Sequence, residues 1–128
     1  MPSYDIFLRP STTSSGDVSD VWGVITDPGT GAAIPVRQSG VCCITTGASG
    51  QTNTLAAPTF KGQMISLVLD TDGGGDRVVT VSAAFNQTGN NTITLNDAGD
   101  TITLFGATIA GALRWRLISN DGCSLSTV

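Results

Sequence analysis

The sequence contains no histidine and no glutamate, and its one lysine is Lys61. A serine or cysteine nucleophile needs a general base beside it, and only aspartates and this lysine could serve here. A pair such as Asp97 and Asp100 could act in glycoside hydrolysis, but aspartate and asparagine are also common turn residues. The sequence therefore predicts a protein that is not an enzyme, with no catalytic residues and no cofactor.

Positive charge is also scarce, with six basic residues against ten acidic ones and a net charge of −4. A nucleic-acid partner requires a basic patch that neutralises phosphates, and the basic residues here are scattered along the chain. The longest apolar run, residues 64–69, is too short to span a bilayer, and "MPSYDIFLRP" lacks the basic start and apolar core of a secretory signal. We therefore expect no nucleic acid and no membrane as partner, and synthesis in the cytoplasm.

Cysteine is limited to Cys42, Cys43 and Cys123. Neighbouring side chains on a strand point to opposite faces, so Cys42 and Cys43 are predicted to give one buried and one outward thiol. The alternatives are a strained vicinal disulfide or a metal site. Zinc needs four ligands, and without histidine the set requires an aspartate or a neighbouring subunit. No metal is predicted.

Serine and threonine account for 30 residues beside 16 glycines, and residues that favour exposed helices are rare. From Gln63 onward, short apolar runs alternate with turn clusters, and in 92–95 and 101–105 threonine alternates with isoleucine or leucine. A third run places Leu113, Trp115 and Leu117 on one side and Arg114 and Arg116 on the other. These patterns predict an all-β domain, either a β-sandwich or a jelly-roll-like barrel.

The length of 128 residues suits a single domain with two unequal parts. All five prolines lie in the first 62 residues, and proline cannot donate to a central ladder, so residues 1–50 are predicted to form an irregular arm and edge strands. Residues 51–128 are predicted to form a regular β core. Because 64–69 is apolar on both sides, we expect it to be a central strand or one that is covered on both faces. The predicted core residues are Leu67, Leu69, Leu104, Trp115 and Leu117.

Apolar side chains in the proline-rich segments are candidates for partner binding, as added edge strands or apolar anchors. These candidates are Tyr4, Ile6, Phe7, Leu8, Ile34 and Val36.

The stretch "LDTDGGGDRVV", residues 69–79, places three aspartates around three glycines. An EF-hand loop that begins at Asp70 needs a glutamate at its twelfth position, where Val81 stands. A run of glycines flanked by aspartates also suits a hairpin in which several residues adopt positive φ. The stretch is therefore predicted to be a hairpin corner, with Asp70, Asp72 and Asp76 as the only candidates for a cation site.

Four motifs follow one another in the second half: "GQ" at 62–63, "NTITLNDAGD" at 91–100, a single tryptophan at Trp115 and "NDGCSLS" at 120–126. Together they resemble a β-rich segment of small structural proteins of tailed bacteriophages. The resemblance covers residues 55–128, whereas the first 50 residues carry no such likeness.

This resemblance implies a virion protein made in the bacterial host cytoplasm. Its most frequent role is capsid decoration, in which a cement protein, expected as a homotrimer, binds and stabilises the shell of major capsid protein. The alternative is a module of a tail fibre or other appendage involved in host-surface binding. A fibre module should carry a trimeric shaft in its N-terminal part, and the sequence shows no heptads or short repeats there.

Overall fold

A computed structural model of the chain describes residues 22–128, which form nine β-strands and no helix. The strands are β1 (Gly23–Ile25), β2 (Gly40–Thr45), β3 (Gln51–Leu55), β4 (Met64–Thr71), β5 (Arg77–Val81), β6 (Thr92–Leu95), β7 (Thr101–Ile109), β8 (Ala112–Asp121) and β9 (Ser124–Ser126). They form a five-stranded sheet in the order β1-β2-β4-β7-β8 and a four-stranded sheet in the order β3-β5-β6-β9. The predicted all-β sandwich is confirmed. Neither sheet closes on itself, so the barrel alternative does not apply.

From β2 to β5 the successive strands alternate between the two sheets. In the five-stranded sheet β1, β2 and β4 are parallel neighbours, and in the four-stranded sheet β3 and β5 are parallel neighbours. The chain therefore winds as a flattened coil, and each connection from β2 to β5 is an arch from one sheet to the other. The later strands pair antiparallel, and β7 joins β8 through a two-residue turn at Ala110 and Gly111, both with positive φ.

The core lies between the sheets, where alternate residues of each strand point inward. It contains the predicted Leu67, Leu69, Leu104 and Trp115, and Leu117 is partly buried against it. The other buried apolar residues are Ile25, Ile34, Cys42, Ile44, Leu55, Ile65, Val79, Val81, Phe85, Ile93, Leu95, Ile102 and Cys123. Each large apolar side chain buried in this way contributes about 1.5–3 kcal/mol to folding.

Residues 22–50 are more regular than the sequence suggested. β1 is an edge strand, as predicted, but β2 lies between β1 and β4 and is internal. Pro28, Pro35 and Pro58 all fall outside strands, so they place no restriction on β2. β4 is the middle strand of its sheet, as expected, although its outward side is only half covered.

The triple-glycine stretch is not a hairpin, because β4 and β5 belong to different sheets. Residues 72–76 form an arch that packs against the arch at 46–50, and Gly75 N donates to Gly47 O at 2.8 Å. A side chain at Gly75 would overlap the Ser49 carbonyl, and one at Gly73 would overlap the Thr46 carbonyl. Of the three glycines only Gly74 has positive φ. Glycine is therefore required at 73 and 75 because neighbouring backbone lies too close for a side chain, and at 74 because φ is positive.

Candidate functional site

The most heavily hydrogen-bonded side chain in the core is that of Arg77, the first residue of β5, which is 1% exposed. It shares the inward side of the strand with Val79 and Val81. Its five N–H groups donate hydrogen bonds to the side chains of Asp27, Gln51 and Asn53 and to the backbone carbonyl of Thr45. Because a guanidinium has only five such groups, this one has none left for a ligand.

The distances in this cluster are those of strong hydrogen bonds. Arg77 Nη1 lies 2.8 Å from Asp27 Oδ1 and 2.6 Å from Asn53 Oδ1. Nη2 lies 2.9 Å from Thr45 O and 2.8 Å from Gln51 Oε1. Since β2 belongs to one sheet and β3 and β5 to the other, the cluster holds the sheets together. We interpret it as structural.

The Asp27 carboxylate also accepts backbone N–H groups, from Gly29 at 3.0 Å and from Thr45 at 3.1 Å. Burial raises the pKa of Asp27, but the hydrogen bonds from Arg77, Gly29 and Thr45 and the positive charge of Arg77 outweigh this effect. The pKa of this carboxyl therefore lies below its ordinary value of 3.8.

The aspartate candidates for chemistry are not assembled into a site. Asp70, Asp72 and Asp76 are exposed, and within residues 22–128 no group of three or more histidine, cysteine or acidic residues could hold a metal ion. Asp100 Oδ2 accepts the backbone N–H groups of Asn96 and Asp97 at 2.9 and 3.0 Å. Asp100 is thus a turn-stabilising residue.

The three cysteines are free thiols. Cys42 is buried and Cys43 exposed, which confirms the predicted alternation, and Cys123 is buried. Burial, assisted by nearby negative charge, raises the pKa of Cys42 to about 11 and that of Cys123 to about 12. Cys43 is therefore the accessible thiol of the chain.

Two of the predicted partner-binding residues have a different role. Ile34 is 1% exposed and belongs to the core, and Val36 is partly buried against that core. The structure corrects the interpretation of Ile34 as a surface anchor, since its side chain is not available to another molecule. Tyr4, Ile6, Phe7 and Leu8 lie outside the described residues.

The outward surfaces of the two sheets differ sharply. The outward side of the five-stranded sheet is apolar over part of its width. On β1, β2, β4 and β7 it presents a region named here the apolar face: Val24, Val41, Cys43, Met64, Ser66, Val68, Thr101, Thr103, Phe105 and Ala107. On β8 and at the end of β4 the same side presents the charged Arg114, Arg116, Asp121 and Asp70. The outward side of the four-stranded sheet, named here the hydroxyl face, presents Thr52, Thr54, Val78, Thr80, Thr94, Ser124 and Ser126, and Thr92 on the same side is buried. An antiparallel or mixed sheet with one wet side normally carries polar residues there, so the apolar face is the unusual one.

Charge is separated along the strand direction. The seven aspartates of residues 22–128 lie in or next to the loops that follow β1, β4, β6 and β8, at one end of the sandwich. The opposite end carries Arg37, Lys61, Arg114 and Arg116, and it also exposes Trp22, Met64 and Ile109. The fifth described cation, Arg77, lies at the acidic end and pairs with Asp27. We call the two regions the acidic end and the basic end.

A pocket of about 110 Å³ lies beside the β1 edge, lined by Val24, Ile25, Thr26, Pro35, Arg37 and Gln38. It is smaller than the roughly 300 Å³ at which small-molecule sites begin, and its lining includes no carboxylate.

The described part of the chain also contains no helix able to cross a membrane.

Comparison with known proteins adds no assignment, because no family model matches the chain and no curated protein is significantly similar to it.

Proposed function

We propose that the chain is a non-enzymatic structural protein of a tailed-bacteriophage virion, a capsid decoration (cement) protein that binds and stabilises the shell of major capsid protein. The proposal starts from the resemblance of residues 55–128, and it includes the homotrimer and the capsid-surface location that the resemblance implies. A protein of this kind needs a rigid body with a surface for a protein partner, and it needs no reacting groups.

The observation that carries the proposal is the composition of the basic end. Tryptophan, methionine and arginine are enriched in protein–protein interfaces, whereas lysine and acidic residues are depleted there. The basic end combines exposed Trp22 and Met64 with three arginines and one lysine, namely Arg37, Arg114, Arg116 and Lys61, and the described aspartates lie at the other end. Such an end suits docking on an acidic protein surface, which would leave the acidic end pointing away from the shell.

The rigid body is supported by the Arg77 cluster and by the packed arches. Because Arg77 binds residues of both sheets, the sandwich resists shear between them. This internal bracing gives the rigid body that the proposed role requires.

One observation favours the alternative, a tail-fibre or appendage module that takes part in host-surface binding. The parallel coil of β1 to β5 is the kind of unit that stacks in elongated repeat structures. A single chain with this coil could be one segment of a rod.

Quantitative mass spectrometry of purified particles of the encoding phage tests the proposal. We expect a copy number comparable with that of the major capsid protein, together with loss of particle stability in a deletion phage. A few copies per particle, retained in isolated tails, would replace decoration by the appendage role. Absence from the particle would refute both.

A further inference from the structure

We propose that the open edge of β1 is the docking site of residues 4–8 of the same chain, which pair with it as a further parallel strand. The sequence offers these residues as candidates for binding a partner protein, and the proposal assigns them to their own chain instead. It does not depend on the virion proposal.

β1 has a neighbouring strand on one side only. It pairs with β2, and no other described strand lies on its second side. Gly23 N donates to Ser39 O at 3.1 Å, so the backbone of Gly23 faces β2. Because successive residues of a strand alternate, the N–H and C=O of Val24 point to the open side. The side chain of Val24 is also 79% exposed. The edge therefore offers backbone groups and an apolar side chain to an added strand.

The spacing of the coil along the chain selects the occupant. β1 pairs with β2 in parallel, and the register Gly23↔Gly40 sets an offset of 17 positions. The same offset before β1 leads to residues 6–8. Residues 9–22 would connect that strand to β1, and they equal in number residues 26–39, which connect β1 to β2. A crossover between parallel strands needs about a dozen residues or more, so the connection is long enough.

The side chains of residues 6–8 suit the rows that they would extend. On β1 the side chain of Ile25 is buried and that of Val24 is exposed. At the same offset Leu8 would lie beside Ile25, and Phe7 would lie beside Val24. Both rows continue with apolar side chains on β2. The segment therefore supplies an apolar residue to each of these two rows.

The pocket beside the β1 edge gives the Leu8 side chain a place. Ile25 lines this pocket although it is only 4% exposed, so the pocket reaches the rim of the core. Its volume of about 110 Å³ is below that of small-molecule sites and suits a single apolar side chain. Burial of Leu8 beside Ile25 removes apolar surface from water, which favours docking.

A segment of the same chain also has an advantage over a separate molecule. A short connection holds a segment near its docking site at an effective concentration in the millimolar range, so it outcompetes a separate partner of similar affinity. Docking would cover the edge of β1, and natural proteins cover such edges because uncovered ones pair with other chains and aggregate. The added strand therefore protects the open end of the coil.

Disulfide trapping in the full chain tests the register. A Cys43→Ser background removes the accessible thiol. Phe7→Cys with Val24→Cys then places two cysteines at opposite positions about 4.8 Å apart, within the range of about 4.4–6.8 Å between Cα atoms that a disulfide spans. The matched control, Phe7→Cys with Val41→Cys, lies one strand further, at about 9.6 Å. After mild oxidation we expect a disulfide within one chain in the first pair and none in the second, as identified by peptide mass spectrometry.

Amide hydrogen exchange of Val24, measured by NMR, gives a second reading without new cysteines. In the wild type the Val24 N–H should be protected, because it donates to the added strand. Leu8→Asp should accelerate its exchange at least tenfold. Thr12→Asp, which adds the same charge outside residues 4–8, should leave the rate unchanged. Thermal melts of both variants identify any general loss of folding.

Three results would overturn the proposal: no disulfide in the first pair, equal disulfide formation in both pairs, or a Val24 amide that exchanges equally fast in the wild type and in Leu8→Asp. A disulfide that joins two chains would also overturn it and would assign the edge to a second copy. All these measurements use the purified protein, so their failure leaves capsid decoration standing. Absence of the chain from phage particles would in turn leave the edge contact standing.

Discussion

Arg77 Nη1 lies 2.8 Å from Asp27 Oδ1, and this ion pair joins the loop after β1 to the first residue of β5, 50 positions later in the chain. It is the single ion pair within the described residues, 22–128. The Arg77 side chain is 1% exposed and the Asp27 side chain 19% exposed, so the pair is largely removed from solvent. The pair stabilises the fold because it connects two parts of the chain that lie far apart in the sequence.

Replacement of Arg77 by methionine keeps much of the side-chain volume but leaves Asp27, Gln51 and Asn53 without their common donor. Removal of one partner from a buried pair costs about 3–5 kcal/mol. We expect the free energy of unfolding to fall by that amount, measured by urea denaturation at neutral pH. Arg37→Met is the matched control, since Arg37 is exposed, and its effect should stay within about 0.5 kcal/mol. Equal effects of the two substitutions would contradict the structural role of the cluster.

Acid should destabilise the protein in part through Asp27. The pKa of Asp27 is lower in the folded chain than its ordinary value of 3.8, so the folded state binds the proton less readily than the unfolded state. The resulting stabilisation is complete above the unfolded pKa and disappears as the pH falls through the folded pKa. Asp27→Asn should be less stable than the wild type at neutral pH and should lose less stability on acidification. Urea midpoints measured from about pH 7 to pH 2 test this, and parallel curves for the two proteins would count against it.

Gly75→Ala should be destabilising because its methyl group would overlap the Ser49 carbonyl in the neighbouring arch. Overpacking of this kind costs typically about 1–3 kcal/mol. Gly50→Ala is the control, since nothing lies within 4 Å of a methyl group at that position. Thermal melts should show a clear fall in Tm for the first variant and little change for the second. A Gly75→Ala protein as stable as the wild type would show that the two arches do not pack closely.

A chelator should leave the protein unchanged. Asp70, Asp72 and Asp76 are exposed, and the described residues contain no group suited to hold a metal ion. We expect the same Tm with and without EDTA. A fall of several degrees would restore the aspartate-rich arch as a cation site.

Much of the fold follows from alternation in the sequence. The inward positions of β7 and β8 are those that the alternation indicates, whereas β4 is apolar on both sides and its pattern does not distinguish them. Cys42 and Cys43 take opposite sides of β2 for the same reason. Such patterns are local, because a strand needs only its own residues to define its two sides.

Which strands pair with one another depends on residues far apart in the chain, so the sequence pattern did not predict the pairing. A glycine-rich turn between two strands looks the same whether it returns to one sheet or crosses to the other, so the arch at 72–76 was expected as a hairpin. β3 was missed because its inward residues Gln51 and Asn53 are polar, and the alternation that marks a strand is absent. Their apolar role is replaced by hydrogen bonds to Arg77.

Arg77 itself carried a signal in the sequence. It stands two and four residues before Val79 and Val81, so an inward orientation of these valines requires an inward arginine. A buried arginine needs a carboxylate and several acceptors. The identity of those acceptors, 24 to 50 positions earlier in the chain, depends on the coil and could not be read locally.

The two-residue turn between β7 and β8 has a consequence for how the molecule reaches its native state. Ladders between parallel neighbours close only after the chain has returned through the opposite sheet, and such distant pairings are slow because loop closure must come first. The β7–β8 ribbon joins residues adjacent in the chain and has the longest ladder, from Ile109↔Ala112 to Thr101↔Asp121. It can form within microseconds, on its own residues. We therefore expect nucleation at the C-terminal ribbon, with the coil of β1 to β5 added afterwards, in the reverse of the order in which the ribosome synthesises these strands.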